Sequence, residues 1–237
     1  MKFPDDLTFY RNLLLQRTNI LFDTGGASAF RRWAESGDAS QIDAGFFDED
    51  VRRRVVMQAE AEYDREASQL IDFVAGRALR DLVSIGPGNA ILETILVSRL
   101  STLQTVSLID IENTGSHHHG YAEKGAGYAS LSASRDFMIN NGVSPSVVRV
   151  CNPVTQALPT DSFDFLISIL SMGFHYPCDS YVEYIVAKCR IGGIVVIDLR
   201  RGVDDVGFSK ILGSGFNVIN CVQFGKFQRV VLDRTLR

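Results

Sequence analysis

The hydrophobic pattern changes at residue 81, where short apolar runs begin to alternate with stretches of helical periodicity. Compact apolar runs bounded by turn residues are typical of buried strands, whereas apolar positions three or four residues apart indicate helices. The alternation predicts right-handed β–α–β crossovers and a parallel sheet with helices on both faces. Strands are predicted at 81–86, 105–110, 146–151, 163–170 and 194–199, and helices at 89–100, 128–141 and 181–190.

The C-terminal part of the chain breaks this alternation. Two apolar runs, 216–224 and 228–234, are separated only by the residues 225–227. Such a short connection allows a hairpin but not a helical crossover. We therefore predict an α/β fold, a Rossmann-like three-layer sandwich. Its mostly parallel sheet ends in an antiparallel C-terminal hairpin, with an antiparallel strand at the edge.

The N-terminal part has helical periodicity instead. A helix is predicted over 7–22, followed by a loop rich in Gly, Ser and Asp and by one long amphipathic helix over 48–75. The chain thus divides into a helical N-terminal extension, 1–78, and a core, 79–237. This boundary is a change of pattern, since no linker marks it.

Composition narrows the range of partners. The 237 residues suffice for one domain with a modest appendage, and 46% apolar with 22% charged residues is typical of a globular protein. The net charge of −4 argues against nucleic acid, because phosphate backbones bind clustered basic surfaces. No run approaches the ~18 apolar residues of a membrane helix, and no signal-peptide pattern opens the chain. We expect no membrane partner and a cytoplasmic location.

The cysteines are widely scattered. Cys151, Cys178, Cys189 and Cys221 form no CxxC pair. This spacing favours reduced core residues over a zinc site or a disulfide framework.

The first strand exit carries a glycine pair within SIGPGNAILE, residues 84–93. Gly86 and Gly88, with Pro87 and Asn89, form a turn at which the missing Cβ atoms let the backbone approach a ligand. The N-terminus of the next helix adds unpaired N–H groups. A turn that serves packing alone is the alternative.

An acidic residue follows the glycine turn at the next strand exit. Asp110 stands ~20 positions further on, where a ribose hydroxyl pair needs an acceptor. Glu112 is the nearby alternative for this role. Either acid could instead cap a turn.

The combination resembles the class I S-adenosylmethionine-dependent methyltransferases over residues 80–234. SIGPGN is similar to the glycine-rich first motif of that family, SLID to its second strand with the acid, and FDFLISIL and GGIVVID to its fourth and fifth strands. The closing hairpin also resembles the last two strands of the family. The stretch LSMGFHYP is further similar to bacterial small-molecule or sugar O-methyltransferases.

This resemblance implies S-adenosylmethionine as cofactor and assigns its contacts. The methionine part would lie over the turn from Gly86 to Gly88, and the ribose hydroxyls on Asp110. The remaining implied contacts are Asn152 with the adenine amino group, Ile111 and Pro153 beside the ring, and Ser168 near the sulfonium.

Two departures from the family pattern bear on the cofactor. Ser84 stands where the family often has an acid, which puts carboxylate anchoring of the methionine amino group in doubt. Ile91 stands where a nicotinamide-binding turn favours Gly or Ala, which weakens a dehydrogenase interpretation.

The segment 171–181 carries the candidate acceptor chemistry. His175 is the candidate general base, because a neutral imidazole is available near pH 7. A structural role for His175 is the alternative. No acid stands at this strand exit, so we predict transfer without a metal.

Aromatic and basic side chains near this segment could contact the acceptor. Phe174, Tyr176 and Tyr181 could line its pocket, and such walls suit sugars and flat rings alike. Arg200, which follows the fifth predicted strand, could hold an acceptor carboxylate or phosphate, with a salt bridge as the alternative.

A glycine-rich segment between the second strand and its helix contains His117, His118 and His119. Three adjacent histidines point in different directions and make a poor tetrahedral metal site. The segment is interpreted as a solvated loop, or as a lid hinged at Gly120, Gly125 and Gly127.

The N-terminal helices have no place in the family core. Such additions commonly cover the active site, which makes Tyr10, Trp33 and Phe46 candidate pocket residues. Alternatively, the N-terminal helices could form a homodimer interface.

We therefore predict a methyltransferase that transfers a methyl group to a small-molecule oxygen acceptor, with a sugar among the candidates. Two alternatives remain open at this point. One is an NAD(P)-dependent oxidoreductase on a Rossmann sheet, and the other is a non-catalytic binding subunit with a methyltransferase-like fold.

Overall fold

A computed structural model describes residues 1–45, 48–112, 120–125, 127 and 129–236. Seven strands form one sheet: β1 (Asp81–Ile85), β2 (Thr105–Ile109), β3 (Val148–Cys151), β4 (Phe163–Ser168), β6 (Cys189–Arg200), β7 (Phe216–Gln223) and β8 (Phe227–Arg234). Their order in the sheet is β3-β2-β1-β4-β6-β8-β7. An additional strand, β5 (Ser171–Tyr176), is not part of this order.

The first five strands of this sheet order are parallel, as the alternating pattern predicts. The predicted C-terminal hairpin is confirmed, and the strand at this edge of the sheet pairs antiparallel with its neighbour, as predicted. β8 is antiparallel to both β6 and β7 and lies between them, so β7 forms the edge. Three consecutive apolar residues of β8, Val230, Val231 and Leu232, are buried, which fits its inner position.

Nine α-helices are seen in the described part of the chain, and a short 3-10 helix (Cys178–Tyr181) precedes the eighth of them. Five precede the sheet: α1 (Leu7–Gln16), α2 (Thr18–Asp23), α3 (Ala27–Ser36), α4 (Ser40–Ala44) and α5 (Glu49–Phe73). Four connect strands: α6 (Ile91–Arg99), α7 (Leu131–Asn140), α8 (Val182–Lys188) and α9 (Val206–Gly213). None of these helices is long and apolar enough to cross a bilayer.

The long helix α5 follows the predicted pattern closely. Asp48 caps its first turn by accepting hydrogen bonds from the backbone N–H groups of Asp50 and Val51. Its buried residues recur every three or four positions, which turns one face toward the core. They are Val55, Ala59, Tyr63, Ala67 and Leu70.

The predicted helix 7–22 is interrupted. The backbone of Arg17 leaves the helical region (φ −124°, ψ 68°), which separates α1 from α2. Contacts with α5 explain the break, because the Arg17 side chain pairs with Glu66 and lies over the Tyr63 ring. These tertiary contacts override local helix propensity.

The segment predicted as a loop before α5 instead contains α3 and α4. Trp33 is 2% exposed and packs beside Phe30, so this segment contributes to the core. Glycine and serine there mark helix ends. Gly37, for example, ends α3 in the left-handed region (φ 75°).

The predictions for the segment after β4 also need correction. Residues 171–176 form β5 and not a loop, the strand β6 begins at Cys189, and α9 was not predicted. β5 approaches β6 closely at Gly173, where an added Cβ would lie 2.9 Å from the Asp198 carbonyl oxygen. The positive φ of Gly173 (85°) also favours glycine.

Hydrophobic cores lie on both faces of the sheet. On one face of the sheet, buried side chains of β1, β2, β4 and β6 pack with the N-terminal helices. They include Leu82, Val106 and Phe165. The opposite face packs on α8 and α9 through Ile185 and Ile211. The predicted α/β sandwich with an N-terminal helical addition is therefore confirmed, while the boundary at residue 78 stays a prediction.

Three cysteines are buried, as predicted, but Cys221 is exposed. It lies on β7, whose middle residues are exposed on both sides because β7 is the sheet edge.

Candidate functional site

A cavity opens at the carboxyl ends of β1, β2 and β4, where parallel sheets bind ligands. One side is formed by the glycine turn and Asp110, the opposite side by β5, and a third by the N-terminal helices. Its lining residues are Gln16, Arg17, Tyr63, Ser84, Gly86, Pro87, Gly88, Leu92, Glu93, Asp110, Ile111, Gly125, Ala129, Ile169, Leu170, Ser171, His175 and Tyr176.

The glycine turn forms the floor of the cavity. Gly86 and Gly88 both have positive φ, 71° and 57°. A Cβ on Gly86 would lie 1.8 Å from the Ser171 hydroxyl oxygen, and one on Gly88 would lie within 2.4 Å of the Gln16 side-chain amide. Both glycines are thus required where β5 and α1 close over the turn.

Asp110 lies at the end of β2, facing the glycine turn. Its carboxylate accepts hydrogen bonds from the backbone N–H groups of Ile111, at 2.8 Å, and Gly88. Burial raises the pKa of Asp110 to about 7, against the effect of these hydrogen bonds. Glu112, the other acid considered for the ribose hydroxyls, does not line the cavity. It accepts a hydrogen bond from the Leu131 N–H at the start of α7.

Glu93 is a buried acid that sequence reasoning missed. It lies in the first turn of α6, is 2% exposed, and accepts a 2.5 Å hydrogen bond from the Ser84 hydroxyl with Oε1. Burial raises its pKa to about 7. The available signal was an acid within the apolar run ILETIL, opposite the serine that replaces the usual acid of the family.

Next to Glu93, a chain of buried charges crosses from the N-terminal helices to the sheet. Arg17 pairs with Glu66, which also accepts from Arg229 Nη2 at 2.7 Å. Arg229 in turn binds Asp198 through Nε and Nη2, at 2.7 and 2.8 Å. Although burial alone would raise the pKa of Glu66, the two arginines hold it below its ordinary value.

The acceptor side of the cavity is formed by β5. His175 lines it, and its Nδ1 lies 3.4 Å from the Gly120 carbonyl oxygen. The Tyr176 hydroxyl lies 3.3 Å from the Ser171 hydroxyl. Burial raises the pKa of Tyr176 well above its ordinary value, so the phenol is neutral.

Five of the predicted cofactor contacts line this cavity, and the other four do not. The first group comprises Gly86, Pro87, Gly88, Asp110 and Ile111. Asn89 is buried and donates from Nδ2 to the Phe9 carbonyl. Ser168 is fully buried, and its hydroxyl contacts the backbone of Ile85 and Met172. Asn152 and Pro153 follow β3 outside the cavity lining, and these cofactor roles stay predictions.

The predicted acceptor residues are only partly brought together. Tyr176 lines the cavity, whereas Phe174, Tyr181 and Arg200 do not. Phe174 packs edge-on against the ring of His175, and Arg200 lies over the ring of Phe174 at 4.9 Å. Arg200 also donates to the Phe174 carbonyl, so its contacts in the structure are internal.

Two of the predicted covering residues lie away from the cavity. Tyr10 and Trp33 are buried in the core beneath the N-terminal helices and do not line the cavity. Phe46 and the histidines 117–119 lie outside the described residues. Gly125 of the predicted lid does line the cavity, with an added Cβ only 2.9 Å from the Tyr176 ring.

Across the residues that the structure describes, no group of three or more His, Cys, Asp or Glu side chains is arranged to hold a metal ion.

Solved structures identify the fold. Ribosomal protein L11 methylase from Lactobacillus delbrueckii subsp. bulgaricus aligns with a TM-score of 0.52 at 14% identity, covering 74% of this chain and 79% of that one. StiE O-MT aligns with a TM-score of 0.55 at 10% identity, covering 79% and 78%. The chain has the Rossmann-like fold of class I methyltransferases. The predicted family resemblance is thus confirmed at the level of the fold.

A third methyltransferase structure contains the cofactor. The O-methyltransferase TomG from Streptomyces achromogenes, involved in tomaymycin synthesis and solved in complex with SAM, aligns with a TM-score of 0.50 at 15% identity, covering 76% of this chain and 87% of that one. No protein-family model matches the chain, and no curated protein matches it.

Proposed function

We propose that this chain is an S-adenosylmethionine-dependent methyltransferase that modifies an oxygen of a small molecule. The observation that carries the proposal is the position of Asp110. Its carboxylate accepts a hydrogen bond from the Gly88 N–H of the glycine turn and lines a cavity at the carboxyl ends of adjacent strands in a methyltransferase fold. An acid in that position accepts hydrogen bonds from ribose hydroxyls.

The residues around the cavity fit this cofactor. Apolar Leu92, Ile111 and Ala129 line the cavity and suit the flat base, and Asp110 suits the ribose. Because the pKa of Asp110 is about 7, its carboxyl is partly protonated at neutral pH. Hydrogen bonds from ligand hydroxyls would favour the ionised form. When bound, S-adenosylmethionine supplies an electrophilic methyl group, which leaves the protein to position the acceptor and exclude water.

His175 is proposed as the general base. In the tautomer that carries its proton on Nδ1, the ring donates toward the Gly120 carbonyl and keeps a basic Nε2. His175 would accept the proton that the acceptor hydroxyl loses on methylation; the methyl group would come from the sulfonium, whose S–CH3 bond breaks to leave S-adenosylhomocysteine. The hydroxyls of Ser171 and Tyr176 on the same strand suit a hydroxylated acceptor such as a sugar.

The net charge of −4 supports a small-molecule acceptor over a nucleic acid. A cytoplasmic location and a homodimer remain part of this proposal on the sequence argument alone.

We expect S-adenosylhomocysteine to raise the melting temperature of the protein at saturating concentration, because its adenosine part retains the groups that Asp110 would bind. A thermal-shift titration checks this, with NAD as the comparison ligand. Asp110→Ala should weaken S-adenosylhomocysteine binding by more than ~1 kcal/mol. Stabilisation by NAD alone would contradict the proposal and favour an oxidoreductase.

The acceptor is then sought by screening hydroxylated small molecules, sugars included, for methyl transfer. Cofactor binding without turnover of any acceptor would favour a binding subunit.

His175→Ala should lower turnover by ~10² or more, because it removes the base that accepts the hydroxyl proton. Cofactor affinity should stay unchanged, since His175 lies on the β5 side of the cavity, across from Asp110. Single-turnover rates and S-adenosylhomocysteine titrations measure the two quantities separately. An unchanged rate would remove His175 from the mechanism.

A further inference from the structure

Three buried polar atoms without a hydrogen-bond partner lie around the cavity. They are Gln16 Nε2, Arg17 Nε and Glu93 Oε2, and they account for three of the five such side-chain atoms among the described residues. Buried polar atoms are rarely left unsatisfied, and each exception calls for a partner. Here two donors and one acceptor are left for whatever enters the cavity.

The neighbouring charges indicate what Glu93 lacks. Asp198, Arg229, Glu66 and Arg17 alternate in sign, so each has a partner of opposite charge. Glu93 is the next acid beyond this chain. Its Oε1 accepts from the neutral hydroxyl of Ser84, and its Oε2 has no hydrogen-bond partner among the described residues. An ionised Glu93 therefore needs one more cation.

The groups that face Glu93 come from three elements. Arg17 at the α1–α2 break favours its ionised form, and Glu66 on α5 disfavours it. The charge of Glu93 raises the pKa of Tyr63, which is also on α5. Ser84 on β1 donates a hydrogen bond to Glu93. Burial is the main cause that raises the pKa of Glu93 to about 7. The hydrogen bond from Ser84 and the charge of Arg17 oppose this rise, and the charge of Glu66 adds to it.

A ligand that satisfies all three atoms must offer a cation to Glu93 and an acceptor to Arg17 and Gln16. An α-amino acid group has both, an ammonium and a carboxylate on one carbon. S-adenosylmethionine ends in such a group, so this inference rests on the proposed function.

We propose that Glu93 and Arg17, assisted by Gln16, hold the amino-acid end of the cofactor. The acid comes from α6, and Ser84 serves to orient it. The cation and the amide come from the N-terminal helices, which makes that segment a part of the cofactor site. Residue 84 is a serine and supplies no carboxylate, but in this proposal Glu93 supplies the carboxylate that anchors the amino group of the cofactor.

The test compares two ligands that differ at this end. S-adenosylhomocysteine has the α-amino acid group, and 5′-methylthioadenosine lacks it while retaining adenosine and the thioether. Calorimetry at about pH 8 should show that Glu93→Gln weakens S-adenosylhomocysteine at least 10-fold. The variant should bind 5′-methylthioadenosine within about 2-fold of the wild type.

Glu183→Gln is the matched control, because Glu183 is also an acid in the first turn of a helix but is exposed. It should change neither affinity. A proton readout adds a second criterion. At about pH 6.5 the wild type should release protons when it binds S-adenosylhomocysteine, as the ammonium displaces the Glu93 proton, and Glu93→Gln should release fewer.

The outcomes separate the two proposals. Equal weakening of both ligands, or no weakening, would overturn the role of Glu93 and leave the methyltransferase proposal intact. Failure of the wild type to bind S-adenosylhomocysteine would overturn the proposed function itself. If Glu93→Gln does not fold, Arg17→Lys, which keeps the charge beside Glu66 but lacks the Nε donor, decides with the same ligand pair.

Discussion

Replacing Arg229 with Gln should lower the free energy of unfolding by about 3–5 kcal/mol. Arg229 is 2% exposed and bonds two acids at once, Asp198 on β6 and Glu66 on α5. Its removal leaves the buried Asp198 carboxylate without its cation and leaves Glu66 with Arg17 alone. Desolvated charges of that kind are expensive, since water cannot replace the lost partner. Urea denaturation at neutral pH measures the change.

Arg149→Gln is the control for this variant. Arg149 pairs with Asp161 on the surface, with about half or more of each side chain exposed. Exposed pairs contribute at most about 1 kcal/mol, so the control should unfold almost like the wild type. If the two variants lose similar stability, the buried charge chain does not support the fold in the way described.

Glu93→Gln should stabilise the unliganded protein over the wild type increasingly as the pH rises. The folded-state pKa of Glu93 is about 7, above its ordinary value of 4.5, so the folded state holds a proton that the unfolded state releases. Between these two values wild-type stability therefore falls with rising pH. Glutamine keeps an oxygen for Ser84 and does not ionise.

The advantage of Glu93→Gln over the wild type should grow by about 2–3 kcal/mol from about pH 5 to pH 8.5, since one pKa unit is 1.36 kcal/mol. Denaturation curves at several pH values measure it. Glu183→Gln, which replaces an exposed acid, is the control and should change the free energy of unfolding little, as surface substitutions usually do. A Glu93→Gln difference that does not vary with pH would mean that Glu93 ionises as it does in water.

The parts of the fold that follow from local pattern were predictable from the sequence. The strands ending at the glycine turn and at Asp110 are short apolar runs, and their parallel pairing places both exits at one edge of the sheet. The buried face of α5 was likewise predictable, because its apolar residues recur every three or four positions. Trp33 and its helix were missed, because glycine and serine around them are typical of loops as well as of helix ends.

The charged part of the site was not predictable in the same way. Arg17 and Glu93 are far apart in the sequence, and each is an ordinary residue in its local helix pattern. Their meeting depends on how α1, α5 and α6 pack, which a single sequence does not specify. Glu93 had one local sign, an acid inside an apolar run, while the break at Arg17 had none.

The buried charge chain also bears on the order in which the molecule can be completed. Glu66 and Arg229 are separated by 163 positions, and Arg229 belongs to the last strand of the sheet. During synthesis Glu66 and Asp198 leave the ribosome before their shared cation exists. Contacts between such distant residues form late, because the intervening loop must close first. We therefore expect the ion pairs that hold Arg17 at the cavity to be completed only after β8 has paired with β6.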